Sequence, residues 1–125
     1  MNQRSRTVDD TRPLFVQIAE QVENDILSGA IAEESQVPST NEFAAFHRIN
    51  PATAGKGVNL LVDDGILYKK RGIGMFVAEG AKARIVAKRR DRFTTEFVTP
   101  LVEEAAKLGI STNDLISLIR KEHIE

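Results

Sequence analysis

Ser39-Thr40-Asn41-Glu42-Phe43-Ala44-Ala45-Phe46-His47-Arg48-Ile49-Asn50-Pro51-Ala52-Thr53 holds two helix starts within fifteen residues, and their closeness decides how the rest of the chain is read. Ser39 and Glu42 have capping-box spacing: the serine hydroxyl can accept from the amide three residues on while the glutamate reaches back. A short helix is predicted to follow, burying Phe43 and Ala44, with Phe46 as a third candidate. His47-Arg48-Ile49-Asn50 then makes a four-residue turn. Asn50-Pro51 reads as N-cap plus first helical residue of a third helix running to about Asp64, its apolar side formed by Ala54, Val58, Leu61 and Val62 and its end by Gly65. Two helices joined by so tight a turn form a helix-turn-helix.

Upstream, Pro13 suits a first helical position, and Phe15, Ile18, Val22 and Ile26 recur at spacings of three and four up to Gly29. A short extended piece is expected around Gln36-Val37. Downstream, Ile66-Leu67-Tyr68-Lys69 and Gly74-Met75-Phe76-Val77 are β-prone runs flanking the basic turn Lys70-Arg71-Gly72-Ile73, which reads as a hairpin tip. The order helix, strand, helix–turn–helix, hairpin is that of a winged helix-turn-helix over residues 13–78. Residues 1–12 are polar and aperiodic and read as a flexible arm.

Residues 79–125 read as two further helices. Val86, Phe93, Phe97, Leu101 and Leu108 make a stripe at spacings of seven, four, four and seven; Pro100 should kink it and Gly109 should end it. Ser111-Thr112-Asn113-Asp114 opens the last helix, with Leu115, Leu118 and Ile119 on its buried side. Two helices of this size bury little by themselves, so a second copy of the chain is the expected partner. The expected fold is therefore mainly α with a small β-wing: an N-terminal winged helix-turn-helix followed by a short two-helix C-terminal dimerisation element.

The 125 residues carry 17 Lys and Arg against 18 Asp and Glu, a formal charge of −1. That balance hides a segregation. Residues 1–35 hold three basic and seven acidic side chains, net −4, whereas residues 66–92 hold nine basic and two acidic, net +7. A polyanion would meet a local positive patch. The absence of Cys excludes a disulfide scaffold and a thiolate site. No apolar run is long enough for a membrane span, so a soluble, cytoplasmic protein is expected. Catalysis finds no footing: Asp63 and Asp64 diverge at a helix end, His47 and His123 are remote in sequence, Ser39 has no evident His base, and no metal or cofactor motif is present.

A helix-turn-helix projects its second helix into the major groove with its N-terminal residues at base edges. Here those residues are Asn50, Pro51, Ala52, Thr53 and Lys56, with Arg48 in the turn before them. Ala52 and the Thr53 methyl suit a thymine methyl, and Lys56 suits a phosphate or a guanine. Ser39, Thr40 and Asn41 open a helix whose free amides suit a phosphate, although a plain cap explains Ser39 equally well. Lys69, Lys70, Arg71 and Gly72 form a wing tip suited to a minor groove. Lys82, Arg84, Lys88, Arg89, Arg90 and Arg92 spread over several helical faces, as in a solvated linker helix. Gly55 and Gly57 each cost roughly 1 kcal/mol relative to Ala, a cost that close approach to the duplex or to the preceding helix would explain.

Several stretches resemble the GntR family of bacterial transcription regulators. Leu14-Phe15-Val16-Gln17-Ile18-Ala19 and Ile26-Leu27-Ser28-Gly29-Ala30-Ile31 are similar to its opening, and Val37-Pro38-Ser39-Thr40-Asn41-Glu42-Phe43-Ala44 to its second-helix signature. Ile49-Asn50-Pro51-Ala52-Thr53-Ala54-Gly55-Lys56 resembles the recognition helix of the YtrA subfamily, and Arg71-Gly72-Ile73-Gly74-Met75-Phe76-Val77 its wing. Asn41 stands where the family usually has Arg, and Ala54-Gly55 where Val and a better helix former are usual. The resemblance implies a homodimeric, sequence-specific DNA-binding regulator, a repressor of a transporter-linked operon acting at a pseudo-palindromic operator. Phe93, Phe97, Leu101, Leu108, Leu115 and Ile119 would form its dimer interface, with room near Phe93 and Phe97 for a small effector. The rival reading is a winged-helix protein-interaction module that does not bind specific DNA.

Overall fold

The computed structural model describes residues 12–122, so most of the expected arm, and His123, lie outside the described residues. Two units are described separately below, one ending at Ala87 and the other beginning at Lys88.

In the first unit α1 spans Leu14–Ser28, with Pro13 just before the helix rather than inside it and Gly29 ending it at φ 88°. The buried face is Ile18, Ala19, Val22 and Ile26, the three- and four-residue repeat seen in the sequence. β1 is Gln36–Val37, α2 is Thr40–His47 and α3 is Pro51–Asp63. The hairpin strands are β2, Leu67–Lys70, and β3, Gly74–Val77, and β3 lies between β1 and β2 in an antiparallel sheet. Gln36 pairs with Phe76, and Tyr68 pairs with the same residue from the other side.

The core joins Ala19, Val22 and Ile26 of α1 to Val58 and Leu61 of α3, Ile66 and Leu67 at the start of the hairpin, and Val77. Ala81 and Ile85, fully buried, complete it from the first turns of α4, Ala81–Phe93. Two polar contacts hold α4 as well. The Glu33 carboxylate accepts from the backbone amides of Gly80 (2.9 Å) and Lys82 (3.0 Å), and the Arg84 guanidinium donates to the Gly65 carbonyl at 2.7 Å. Hydrogen bonds from the Gly80 amide first, and from Lys82 second, hold Glu33 below its usual carboxylate pKa.

The expected kink at Pro100 takes a specific form. A π-helical turn occupies Thr94–Val98, in which the Thr99 amide reaches the Thr94 carbonyl, and α5 follows over Thr99–Lys107. Proline brings no amide to the ladder, and the wider turn absorbs the gap. Gly109, at φ 70°, follows the helix end, and the Ser111 hydroxyl accepts from the Asp114 amide to start α6, Thr112–Lys121. The buried side expected for α6 is open in the single chain: Leu118 is 46% and Ile119 43% exposed, with Leu115 half-buried.

Candidate nucleic-acid interface

The capping box at Ser39 forms in full. The Glu42 amide donates to the serine hydroxyl at 3.0 Å and the Ser39 amide donates to Glu42 Oε1 at 2.9 Å. The serine oxygen acts there as acceptor, so its own O–H remains a donor for a ligand. Asn50 caps α3 through Oδ1, which accepts from the Ala52 amide at 2.7 Å. Its Nδ2 group keeps its hydrogens for another acceptor. Between the two helices Arg48 adopts a left-handed conformation at φ 58°, its amide bonding back to the Ala44 and Ala45 carbonyls. That single residue reverses the chain and brings the α3 start close behind the α2 end.

Ser39, Asn41, Arg48, Asn50, Pro51, Ala52 and Lys56 are exposed, while Thr40 and Thr53 are half-buried. Between α2, α3 and the hairpin lies a concavity of about 550 Å³, lined by Ser39, Thr40, Asn59, Lys69 and Ile73 among others. The structure thus brings the start of α2 and the wing onto one surface, although thirty residues separate Ser39 from Lys69. The wing tip turns at Arg71-Gly72, with Gly72 at φ 77° and the Ile73 amide bonded to the Lys70 carbonyl at 2.9 Å. Gln36 braces it by donating to the Ile73 carbonyl at 3.0 Å, and Gly74 leaves the space that the Gln36 amide occupies. Sequence reasoning missed Gln36; the register that pairs it with Phe76 is the signal that would have found it.

The basic side chains are not equivalent. Lys69 and Arg71 are exposed, and among the described residues their side chains have no ion pair, hydrogen bond or ring contact. Lys70 instead lies over the Phe76 ring, 4.5 Å from its centroid, on the face where Tyr68 and Phe76 stack. Lys56 rests over the Phe15 ring at 5.3 Å, which turns it partly back toward α1. Each such contact is worth roughly 0.5–1 kcal/mol at an exposed position, small enough for a phosphate to compete.

The two glycines of α3 separate. A Cβ on Gly57 would stand 2.9 Å from the Phe15 carbonyl oxygen and 3.1 Å from Ile18 Cγ2, so Gly57 serves contact with α1, not with the preceding helix α2. A Cβ on Gly55 would meet only Thr40 Cγ2, at an ordinary 3.8 Å. Phe46, a candidate for the α2 core, is 82% exposed, because Ala44 is the α2 side chain that points inward. Phe93, Phe97, Leu101 and Leu108 are 54%, 62%, 44% and 64% exposed, with the Phe93 and Phe97 rings tilted against each other at 5.7 Å. Among the described residues no His, Cys, Asp or Glu group converges as a metal site, and no helix is long and apolar enough to cross a membrane.

The family described as "Bacterial regulatory proteins, gntR family" matches residues 14–77, the whole of α1 through β3. The chain is 28% identical over 109 residues to the HTH-type transcriptional repressor YtrA of Bacillus subtilis strain 168, covering 87% of this chain and 83% of that protein. A crystal structure from Bacteroides thetaiotaomicron, titled as a transcriptional regulator of the GntR family, superposes with a TM-score of 0.70 at 34% identity, over 86% of this chain and 94% of that one. The DNA-binding domain of AraR in complex with operator ORX1 superposes with a TM-score of 0.52 at 29% identity, over 57% of this chain and 87% of that one.

Proposed function

Since the chain belongs to the GntR family of bacterial regulatory proteins, we propose that it is a sequence-specific DNA-binding regulator, a homodimeric repressor working in the cytoplasm and not an enzyme. The observation that carries this reading is the exposure of a basic wing and the capped start of α2 around one concavity, with the capped start of α3 exposed as well. The likeness to YtrA, a repressor, and to an AraR domain bound to its operator supports it.

In this reading α3 enters the major groove from its N-terminus. Asn50 Nδ2, Ala52 and Thr53 face base edges, while Pro51 sets the first turn. Ser39 Oγ–H, Thr40 and Asn41 at the start of α2 hold a backbone phosphate, helped by the positive helix end. Arg48 and Lys56 neutralise neighbouring phosphates. Lys69, Arg71 and the Gly72 backbone enter the adjacent minor groove, and Lys70 leaves its ring to join them. The exposed stripe Phe93, Phe97, Leu101 and Leu108, with Leu115 and Ile119 of α6, closes against a second copy, giving a pseudo-palindromic operator. The transporter-linked target rests on the subfamily likeness alone, and a small effector near Phe93 and Phe97 on the room that a tail of this size leaves at the proposed dimer interface.

Selection of bound duplexes from a random pool at 50 and 200 mM salt tests the reading. A two-fold symmetric enriched site is expected, with affinity falling about 10³–10⁵-fold between the two salts if six to ten phosphates are held. Sequence-blind binding, or none, returns the chain to the protein-interaction reading, which its net charge of −1 favours.

A further inference from the structure

A second concavity, of about 500 Å³, lies on the other flank of α2, and the DNA-binding reading makes no use of it. Its wall carries three contiguous aromatic rings. Phe43 and His47 meet at 4.3 Å with their planes tilted by 35°, and Phe46 meets His47 edge-on at 5.0 Å. Phe46 is 82% exposed, a large apolar side chain that the fold itself does not need. Two carboxylates, Asp25 and Glu42, share the lining, and no Lys or Arg does. Each carboxylate is engaged through one oxygen only: Asp25 Oδ1 accepts from Gln21 at 3.3 Å, and Glu42 Oε1 from the Ser39 amide at 2.9 Å.

We propose that this cavity is a binding site for a small alkylated ammonium cation. Ring faces attract a diffuse cation whose methyl groups also gain from apolar walls, and two carboxylates without a cation of their own set the sign of the charge. An anion would meet two carboxylates there and no Lys or Arg. The site also touches the proposed DNA contact directly, because Glu42 both lines the cavity and closes the Ser39 capping box. A cation drawn to Glu42 competes with the Ser39 amide and loosens the start of α2, so occupancy lowers operator affinity; this second half rests on the DNA-binding reading.

The test uses the full chain and choline as probe, with 3,3-dimethylbutan-1-ol as an uncharged isostere, followed by amide chemical shifts. Saturable shifts centred on α2 and on the residues that line the cavity with it, Val22 and Asp25 of α1 and Val37 of β1 among them, are expected with choline, with binding of the isostere at least about tenfold weaker. Phe46→Ala, at a side chain outside the core, weakens choline binding roughly threefold to thirtyfold. Equal binding of the isostere, shifts centred elsewhere, or no saturation overturns the site. Because this titration needs no DNA, its failure is separate from failure of the DNA-binding reading. Operator affinity is then measured with and without choline: a fall in the native protein that Phe46→Ala abolishes supports the regulatory half, and choline binding at α2 with operator affinity unchanged overturns it.

Discussion

The winged-helix unit and the tail after it obey the same apolar spacing rules and end in opposite states. Residues 12–87 contain every fully covered apolar side chain of the described chain except Ala105. From Phe93 to Ile119 most of the large apolar side chains stay substantially exposed, Phe97 at 62% and Leu108 at 64%. Periodicity shows that a face is apolar, but whether that face closes within the chain depends on the number of elements available to cover it. Five segments converge on the first core, whereas α5 and α6 have too little area between them. The tail is therefore the region that calls for a second molecule, and the winged helix is the region that can fold around its own centre.

The sharpest way to break this contrast is to charge the tail. Phe97→Asp should convert the proposed dimer to monomer in sedimentation and reduce affinity for a full operator about 10²-fold or more through lost bivalency, with half-site affinity nearly unchanged. A variant that remains dimeric would move the interface elsewhere. Next in size, Leu61→Ala in the first core should cost about 2–5 kcal/mol in denaturant unfolding, whereas Leu101→Ala, placed in the Phe97→Asp monomer, should cost under about 0.5 kcal/mol. Equal costs would mean that the tail closes on itself.

Smaller effects sharpen the comparison within the winged helix. Gly55→Ala should stabilise by up to about 1 kcal/mol because its Cβ meets open space or an ordinary contact, while Gly57→Ala should destabilise through the Phe15 carbonyl; thermal unfolding of the two variants reads this difference. Last comes acid. Glu33 is held below its usual value of 4.5 by the Gly80 and Lys82 amides, so its contribution is in place above that value and is lost as pH falls through the lowered one. The difference in melting temperature between the native chain and Glu33→Gln should be full at pH 7 and close as the pH is lowered past 4.

Much of the first unit was legible because its signals are local. The Ser39–Glu42 spacing, Asn50-Pro51 and the Gly29 stop each fix a helix end within four residues, and all three appear where the spacing puts them. The residues of the candidate interface were legible as a set, since helix starts and a basic turn can be read from sequence. Which cations are free was not. Lys70 and Lys56 differ from Lys69 only by the rings beneath them, and those rings belong to β3 and α1. The bonds of Glu33, Gln36 and Arg84 were not legible for the same reason, and Arg84, read as part of a solvated helix, is tied to Gly65: their partners lie nineteen to forty-nine residues away. The Pro100 break was visible, but its resolution as a π-turn depends on backbone bonding that spacing cannot show.

The link from Glu33 to Gly80 and Lys82 also has a consequence in time. It joins chain segments 47 and 49 residues apart, and α2, α3 and the hairpin all lie inside the loop that it closes. A contact of such long range is entropically expensive until the intervening chain has already compacted. Ala81 and Ile85 bury against a core that those elements build, so the first turns of α4 should dock after them during folding. A nascent chain would then have its proposed DNA-contacting surface assembled before the segment leading into the tail is fastened in place.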